Sequence, residues 1–458
     1  MLIQKQMIVA FFALLSAGGA LAATTQNSAS MLGNELTPLG AIKAGNSNGT
    51  IPEWEGGICE PVPGYEPKDA RGGHPYVDPF ADESPRFTIT ASNLDQYRDQ
   101  LPEGTVVLLE RFPDTYRVDV FPTHRTVCYP EYVYENTIKN VNKPRLVGDA
   151  PGLADSHAQI PFPIPETGQE VMWNVLVRYA GPNEISDSIQ YLGDTAGYVS
   201  LVDANKGVEA RDYWDNSLSY EEEMTFWELI QTKVAPASQA GSSQLRIQYI
   251  RADLYSPKAY VYIPGQRRVR MAPEFTYDTV STASGVLLFD EINGFDGKMD
   301  KFDFKLLGRK EMIVPYNAYR RWEAPREAFN PGLLHTDPDA ERWELHRVWV
   351  VEATLKEGER HTQSRKKFYV DEDSWAILAY VGFDQENEPH HYMPIWAYQE
   401  YEKPTFRSNA VYDLYDLSTG ARASTGLPGP AGTGYLWPDE PHPPGTFTPG
   451  RMTGRGVR

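Results

Sequence analysis

The chain has 458 residues, 41% of them apolar and 12% aromatic, which supports a substantial core. Its net charge of −19 argues against nucleic acid and anionic membrane surfaces as partners, and the charges are scattered, as solubility alone would require. The length allows two or three average domains, although one large sheet can absorb it as a single unit.

The N-terminus reads as a secretory signal over residues 1–22. Lys5 is its one charge, residues 7–15 (MIVAFFALL) are its apolar core, and Ala20-Leu21-Ala22 is an A-x-A cleavage site. The apolar run is too short to span a membrane, and no later stretch approaches a span. A mature chain starting at Ala23 in the periplasm is the expectation. Residues 23–90, rich in Gly, Pro and Asn, read as an extended arm with few regular elements. The two cysteines, Cys59 and Cys128, are expected to form a disulfide in an oxidising compartment; two buried thiols are the alternative. The bridge would contribute at most roughly 4 kcal/mol by chain entropy.

Further along, the pattern predicts a short helix at 91–101, with Ser92 or Asn93 as its cap, and strands at 105–110 and 116–121. A helix is expected at 131–141. Residues 171–180 (VMWNVLVRYA) alternate well enough for a strand, and strands are expected at 186–192 and 196–203. Residues 221–235 read as a helix. A three-strand meander follows at 244–271, where Leu245, Ile247 and Tyr249 alternate with polar residues, and Ser256-Pro257 and Pro264-Gly265 mark turns. A loop-rich insertion is expected at 272–340, then strands near 343–356, 360–370 and 375–383. From Gly420 to the end, Gly and Pro recur so often that a tail without a core of its own is expected at 420–458.

In the strand at 343–356, Trp349 and Val351 share one face while Val348 and Val350 share the other. A strand apolar on both sides needs something packed over each. A large curved antiparallel sheet wrapped around apolar material meets that need and could also hold a greasy ligand. Aromatics with a polar tip suit such a pocket, and for any single one of them an ordinary sheet core is the rival and more frequent reading; the chain holds 27 Tyr and 10 Trp. Tyr249, Tyr260, Tyr262, Trp349 and Tyr380 sit mid-strand and are the candidate lining residues. Arg268 and Arg270, with Arg267, are a candidate clamp for an anionic headgroup; an exposed strand face neutralising nearby acids is the rival reading.

Enzyme signatures are sparse. There is no G-x-S-x-G, no H-E-x-x-H and no Walker loop. His390 and His391 are adjacent, and adjacent strand residues point to opposite faces, so no metal site is expected there. The stretch DEINGFDGKMDKFD (290–303) fails the EF-hand spacing and reads as an acidic surface loop. No catalytic residue and no cofactor are assigned.

Several segments match a family. They are TPLGAIKAGNSNGTIPEW (37–54), PFPIPETGQEVMWN (161–174), YVYIPGQRRVRMAPEF (260–275), GRKEMIVPYN (308–317) and ERWELHRVWVVEATLKEGERH (341–361). The chain resembles a bacterial family of unknown function whose fold is related to the lipoprotein carrier LolA and the receptor LolB. The resemblance implies an α+β, mainly antiparallel, unclosed half-barrel over residues 91–419 with helices across its concave face. It implies a hollow for acyl chains or other lipids, and partners of the resistance-nodulation-division exporter and outer-membrane types. The expected function is a periplasmic carrier of a hydrophobic molecule. A hydrolase acting on an envelope lipid or glycan, and an interaction module without ligand, are the alternatives.

Overall fold

A computed structural model describes residues 30–67, 76–272, 277–280, 285–324, 326–329, 334–408, 412–428 and 434–453. The predicted signal segment 1–22 lies outside them. Six long strands occupy the first half of the sheet: β1 (Asn183–Gly193), β2 (Val199–Ala210), β3 (Thr225–Ala235), β4 (Ser243–Tyr249), β5 (Lys258–Ile263) and β6 (Arg268–Met271). Seven more occupy the second: β7 (Phe302–Pro315), β8 (Trp343–Leu355), β9 (Arg365–Asp371), β10 (Ile377–Phe383), β11 (Pro389–Pro394), β12 (Tyr412–Asp416) and β13 (Arg422–Pro428). The three helices that concern us are α1 (Glu103–Arg111), α2 (Glu131–Asn140) and α3 (Gly168–Leu176).

The strands belong to one 16-stranded sheet in the order β7-β8-β9-β10-β11-β12-β13-β1-β2-β3-β4-β5-β6. Phe87–Ile89, Val118–Val120 and Tyr435–Leu436 complete it at the sides. Neighbours along the main path run antiparallel, and Arg422↔Gly193 and Ala423↔Leu192 join the two halves. The two ends of this long path, β6 and β7, are therefore consecutive strands in the chain. Paired, they would close a barrel; left apart, they make an unclosed one.

The curvature follows from reach. Phe289 and Asp290 are chain neighbours, yet the Arg246 guanidinium of β4 lies 5.8 Å from the Phe289 ring and Lys366 of β9 bonds Asp290. In a flat sheet β9 and β4, eight strand spacings apart, would be separated by about 38 Å. The sheet must bend around these residues, so the face carrying Arg246 and Lys366 is concave. Register assigns the rest. Trp227, Leu229, Gln248, Trp349, Val351, Phe368 and Tyr380 share the concave face, and Ile230, Leu245, Ile247, Tyr260 and Tyr262 take the convex one.

Helix α1 covers the convex side of the second half. Thr105 and Tyr392 bond through their hydroxyls at 2.6 Å, and a Cβ at Gly104 would fall 2.0 Å from the Tyr392 ring, so the approach needs glycine there. The arm is pinned by polar contacts: Arg347 donates to the Ala44 carbonyl at 3.0 Å, and the Ile42 amide donates to Glu372. The Cys59–Cys128 disulfide forms, with Cα atoms 5.4 Å apart.

Five expectations change. Residues 171–180 are mostly helix α3, and 105–110 lie within α1, because a run of Val and Leu buried on all sides hides the period that separates helix from strand. Residues 225–235 form β3, not a helix; its aromatic and β-branched residues pack as a sheet interior. The insertion at 272–340 contains the 14-residue edge strand β7. The C-terminal segment is not free of core. β13 is the strand that joins the two halves, and Leu427, Tyr435 and Trp437 are buried. Turn-forming residues dominate its composition, but a seven-residue strand needs few apolar side chains.

Candidate functional site in the hollow of the sheet

Helix α3 lies in the hollow. Thr167 and Glu170 form a reciprocal capping box at its start, and a Cβ on Gly168 would meet the β7 backbone at Phe304 at 2.8 Å, so the helix enters close against the edge strand. Its Trp173 is fully buried. The Trp173 indole donates to the Pro151 carbonyl at 2.9 Å, and the ring meets Phe226 edge-on at 5.9 Å. Phe295 contacts Phe304 and Phe368 at 5.8 and 5.7 Å, and Phe368 leans on Tyr380 at 5.3 Å. The wall of the hollow is thus largely aromatic. Two small cavities of about 20 and 40 Å³ adjoin across Leu176 and Phe226.

Residues 285–301, which precede β7 in the chain, cross this hollow as a strap and bond both halves of the sheet. Asp290 meets Lys366 and, at 3.1 Å, His361. Glu291, fully buried, accepts from Gln363 Nε2 at 2.6 Å and faces His391 Nδ1 at 2.8 Å. On the far side Asp296 accepts from Arg246 and Gln248, and the Arg246 guanidinium lies 4.9 Å from the Trp227 ring. Burial would raise the Asp290 and Glu291 carboxyls, but Lys366 and His361 around the first, and His391 beside the second, hold both below their ordinary values. For Asp296 burial wins over Arg246 and the carboxyl is raised. Burial would lower His391, but Glu291 raises it above the usual imidazole value.

The acidic surface loop expected at 290–303 is therefore overturned for its first part: Asp290, Glu291 and Asp296 are 5%, 0% and 7% exposed. A signal was available, since Phe289, Ile292 and Phe295 interleave with the acids and make this stretch too apolar for a surface loop.

The five candidate aromatics do not share a pocket. Trp349 and Tyr380 face the hollow. Trp349 stacks on Trp375 under the Arg309 guanidinium, 4.0 Å away, and the Tyr380 hydroxyl donates to Gln363 at 2.6 Å beside the strap. Tyr260 and Tyr262 lie on the convex face. Together with Tyr249 they pack in a separate cluster with Ile230, Leu245 and Met452. Strict alternation decides this: Leu245 pairs with Tyr260, so both point outward. Arg268 and Arg270 are exposed on the free edge β6, on the face of Val261 and Ile263.

An antiparallel sheet left open between consecutive strands, with a helix and a strap in its hollow, defines an unclosed half-barrel. The chain belongs to the family described as protein of unknown function (DUF1329), whose model matches residues 88–453. An uncharacterized protein of Pseudomonas aeruginosa is 37% identical over 416 residues, 89% of each chain. Among solved structures the chain is similar to a DUF1329 family protein from Desulfovibrio piger (TM-score 0.42, 13% identity, 62% of this chain and 97% of that one). It is also similar to a putative outer membrane lipoprotein-sorting protein domain from Vibrio parahaemolyticus (TM-score 0.42, 11% identity, 63% and 98%). Among the described residues no helix is long and apolar enough to cross a membrane.

Proposed function

We propose that this protein carries a hydrophobic, lipid-like molecule in the hollow of its half-barrel and releases it by moving the strap. The observation that carries this reading is the open side between β6 and β7, with the strap, residues 285–301, lying in an aromatic hollow and tied there to both halves of the sheet by polar side chains. The strap's ion pairs and hydrogen bonds can be re-formed with water when it leaves, and withdrawing its buried Phe289 and Phe295 would bare aromatic surface that an apolar ligand could cover in their place. Cavities of about 20 and 40 Å³ are far below the several hundred Å³ that enclose a small ligand, so uptake requires the strap to move. Trp349 and Tyr380 are lining candidates retained from the sequence, and so is Tyr249, which borders the smaller cavity with Trp173 and Phe226; Phe368 joins them. Periplasmic residence, and handover to an exporter of the resistance-nodulation-division type and an outer-membrane protein, are parts of the proposal that rest on the family resemblance.

The filled hollow favours a second reading, an interaction module whose interior is purely structural. Native mass spectrometry of protein purified without detergent separates the two. A bound apolar molecule at one per chain supports the carrier; protein free of lipid that also takes up no fluorescent fatty acid supports the module.

A further inference from the structure

His390 and His391 were expected to point to opposite faces. The pairing explains why they do not. On β11, Pro389 pairs with Phe383 and His391 with Gly382, so His390 is the extra residue of a β-bulge. A bulge re-aims side chains that strict alternation would separate. The two imidazoles stack with centroids 4.1 Å apart, and Asp416 of β12 sits opposite His391 in register. One ligating atom from each of the three residues falls within 4.8 Å of the others.

Each member of the trio is prepared for a cation. His391 uses Nδ1 on Glu291, at 2.8 Å to one oxygen and 2.9 Å to the other, which turns Nε2 away as the ligating atom. This carboxylate-behind-imidazole arrangement fixes tautomer and orientation in metal sites. The Nδ1 of His390 is buried and has no hydrogen-bond partner, which leaves it open to a ligand. Asp416 is held in place by Ser418 and Thr419: Ser418 Oγ donates at 2.7 Å to one oxygen and Thr419 Oγ1 at 2.6 Å to the other. His390 is half-buried, which leaves solvent a way in and water a place in the coordination sphere.

We propose that His390, His391 and Asp416 bind one divalent transition-metal ion, with Glu291 of the strap as the positioning residue behind His391. Two imidazoles and one carboxylate suit zinc, cobalt or nickel, whereas calcium and magnesium take oxygen ligands. The bound ion would tie β11 and β12 to the strap through the His391–Glu291 contact. The site stands whether or not the hollow carries a lipid.

The experiment uses full-length, untagged protein stripped with chelator, titrated with Zn²⁺ by calorimetry and with Co²⁺ by visible absorption. One equivalent should bind, and the cobalt spectrum should report nitrogen–oxygen ligation. His390→Ala and Asp416→Asn should each weaken binding at least about 10-fold, and Glu291→Gln by about 10–100-fold. His390 is half-buried, so its variant should keep the thermal midpoint of the metal-free parent; if Asp416→Asn fails to fold, His390→Ala decides alone. Absence of stoichiometric binding, or binding unchanged in His390→Ala, overturns the proposal.

Discussion

Replacing Asp290 by Asn tests whether polar contacts hold the strap in the hollow. The Lys366 and Asp290 side chains are 2% and 6% exposed. The substitution keeps the shape and removes the charge, leaving the Lys366 ammonium buried against a neutral amide. Breaking one side of a buried pair costs about 3–5 kcal/mol, a large share of the roughly 5–15 kcal/mol that stabilises a domain. Removing both charges, as in Asp290→Asn with Lys366→Met, should recover most of the loss, because an apolar replacement of a buried pair is often neutral. Urea unfolding of the four proteins at pH 7 gives the coupling directly. The effect also has a pH signature. The Asp290 carboxyl is held below its unfolded value, so its contribution is complete above about pH 4 and is lost as the pH falls further. The gap between wild type and Asp290→Asn should therefore narrow in acid. A single variant within about 0.5 kcal/mol of wild type, or a double variant worse than either single one, would show that the Asp290–Lys366 pair does not hold the strap.

Glu341 is the opposite case: burial, only partly offset by Trp343, Arg321 and Tyr116, pushes its carboxyl up to about 8. A raised carboxyl stabilises the fold below its unfolded value and loses that contribution as pH rises toward 8, so Glu341→Gln should gain on wild type by about 3 kcal/mol between pH 5 and pH 8 in urea melts. Equal pH slopes would count against it. Thiol labelling of denatured, unreduced protein should find neither Cys59 nor Cys128 reactive. Met452→Ala, at 1% exposure on the convex cluster, should cost about 2–5 kcal/mol, while ending the chain at Thr419 removes β13 and should abolish cooperative unfolding altogether. Circular dichroism during urea titration checks both; a truncated chain that still unfolds cooperatively would show that β13 does not join the sheet.

What could be read in the sequence was the sheet itself. β4, β5 and β6 alternate cleanly between short turns, and the apolar double-sidedness of β8 announced layers on both faces. Elements buried all round were misread, since α3 and β3 carry similar residues and periodicity cannot distinguish them. The Thr167-Gly-Gln-Glu170 capping box was the one local signal that would have placed α3. The site was less legible. Which aromatics face the hollow depends on register, which one sequence does not specify, and so Tyr260 and Tyr262 went to the wrong side. Phe289, Ile292 and Phe295 signalled the strap's burial, but the partners of Asp290, Glu291 and Asp296 lie 48 to 100 residues away in the chain and no local pattern names them. His390 and His391 meet only because of a bulge.

In the proposed function a hydrophobic molecule enters the hollow by displacing the strap. Equilibrium titration of a fluorescent fatty acid into wild type and Asp296→Asn tests it most directly, because Asp296 anchors the strap to β4 without belonging to the aromatic wall. Wild type should bind saturably and the variant more tightly, because its strap is less costly to move. Absence of binding in both proteins, or identical affinities, would contradict it.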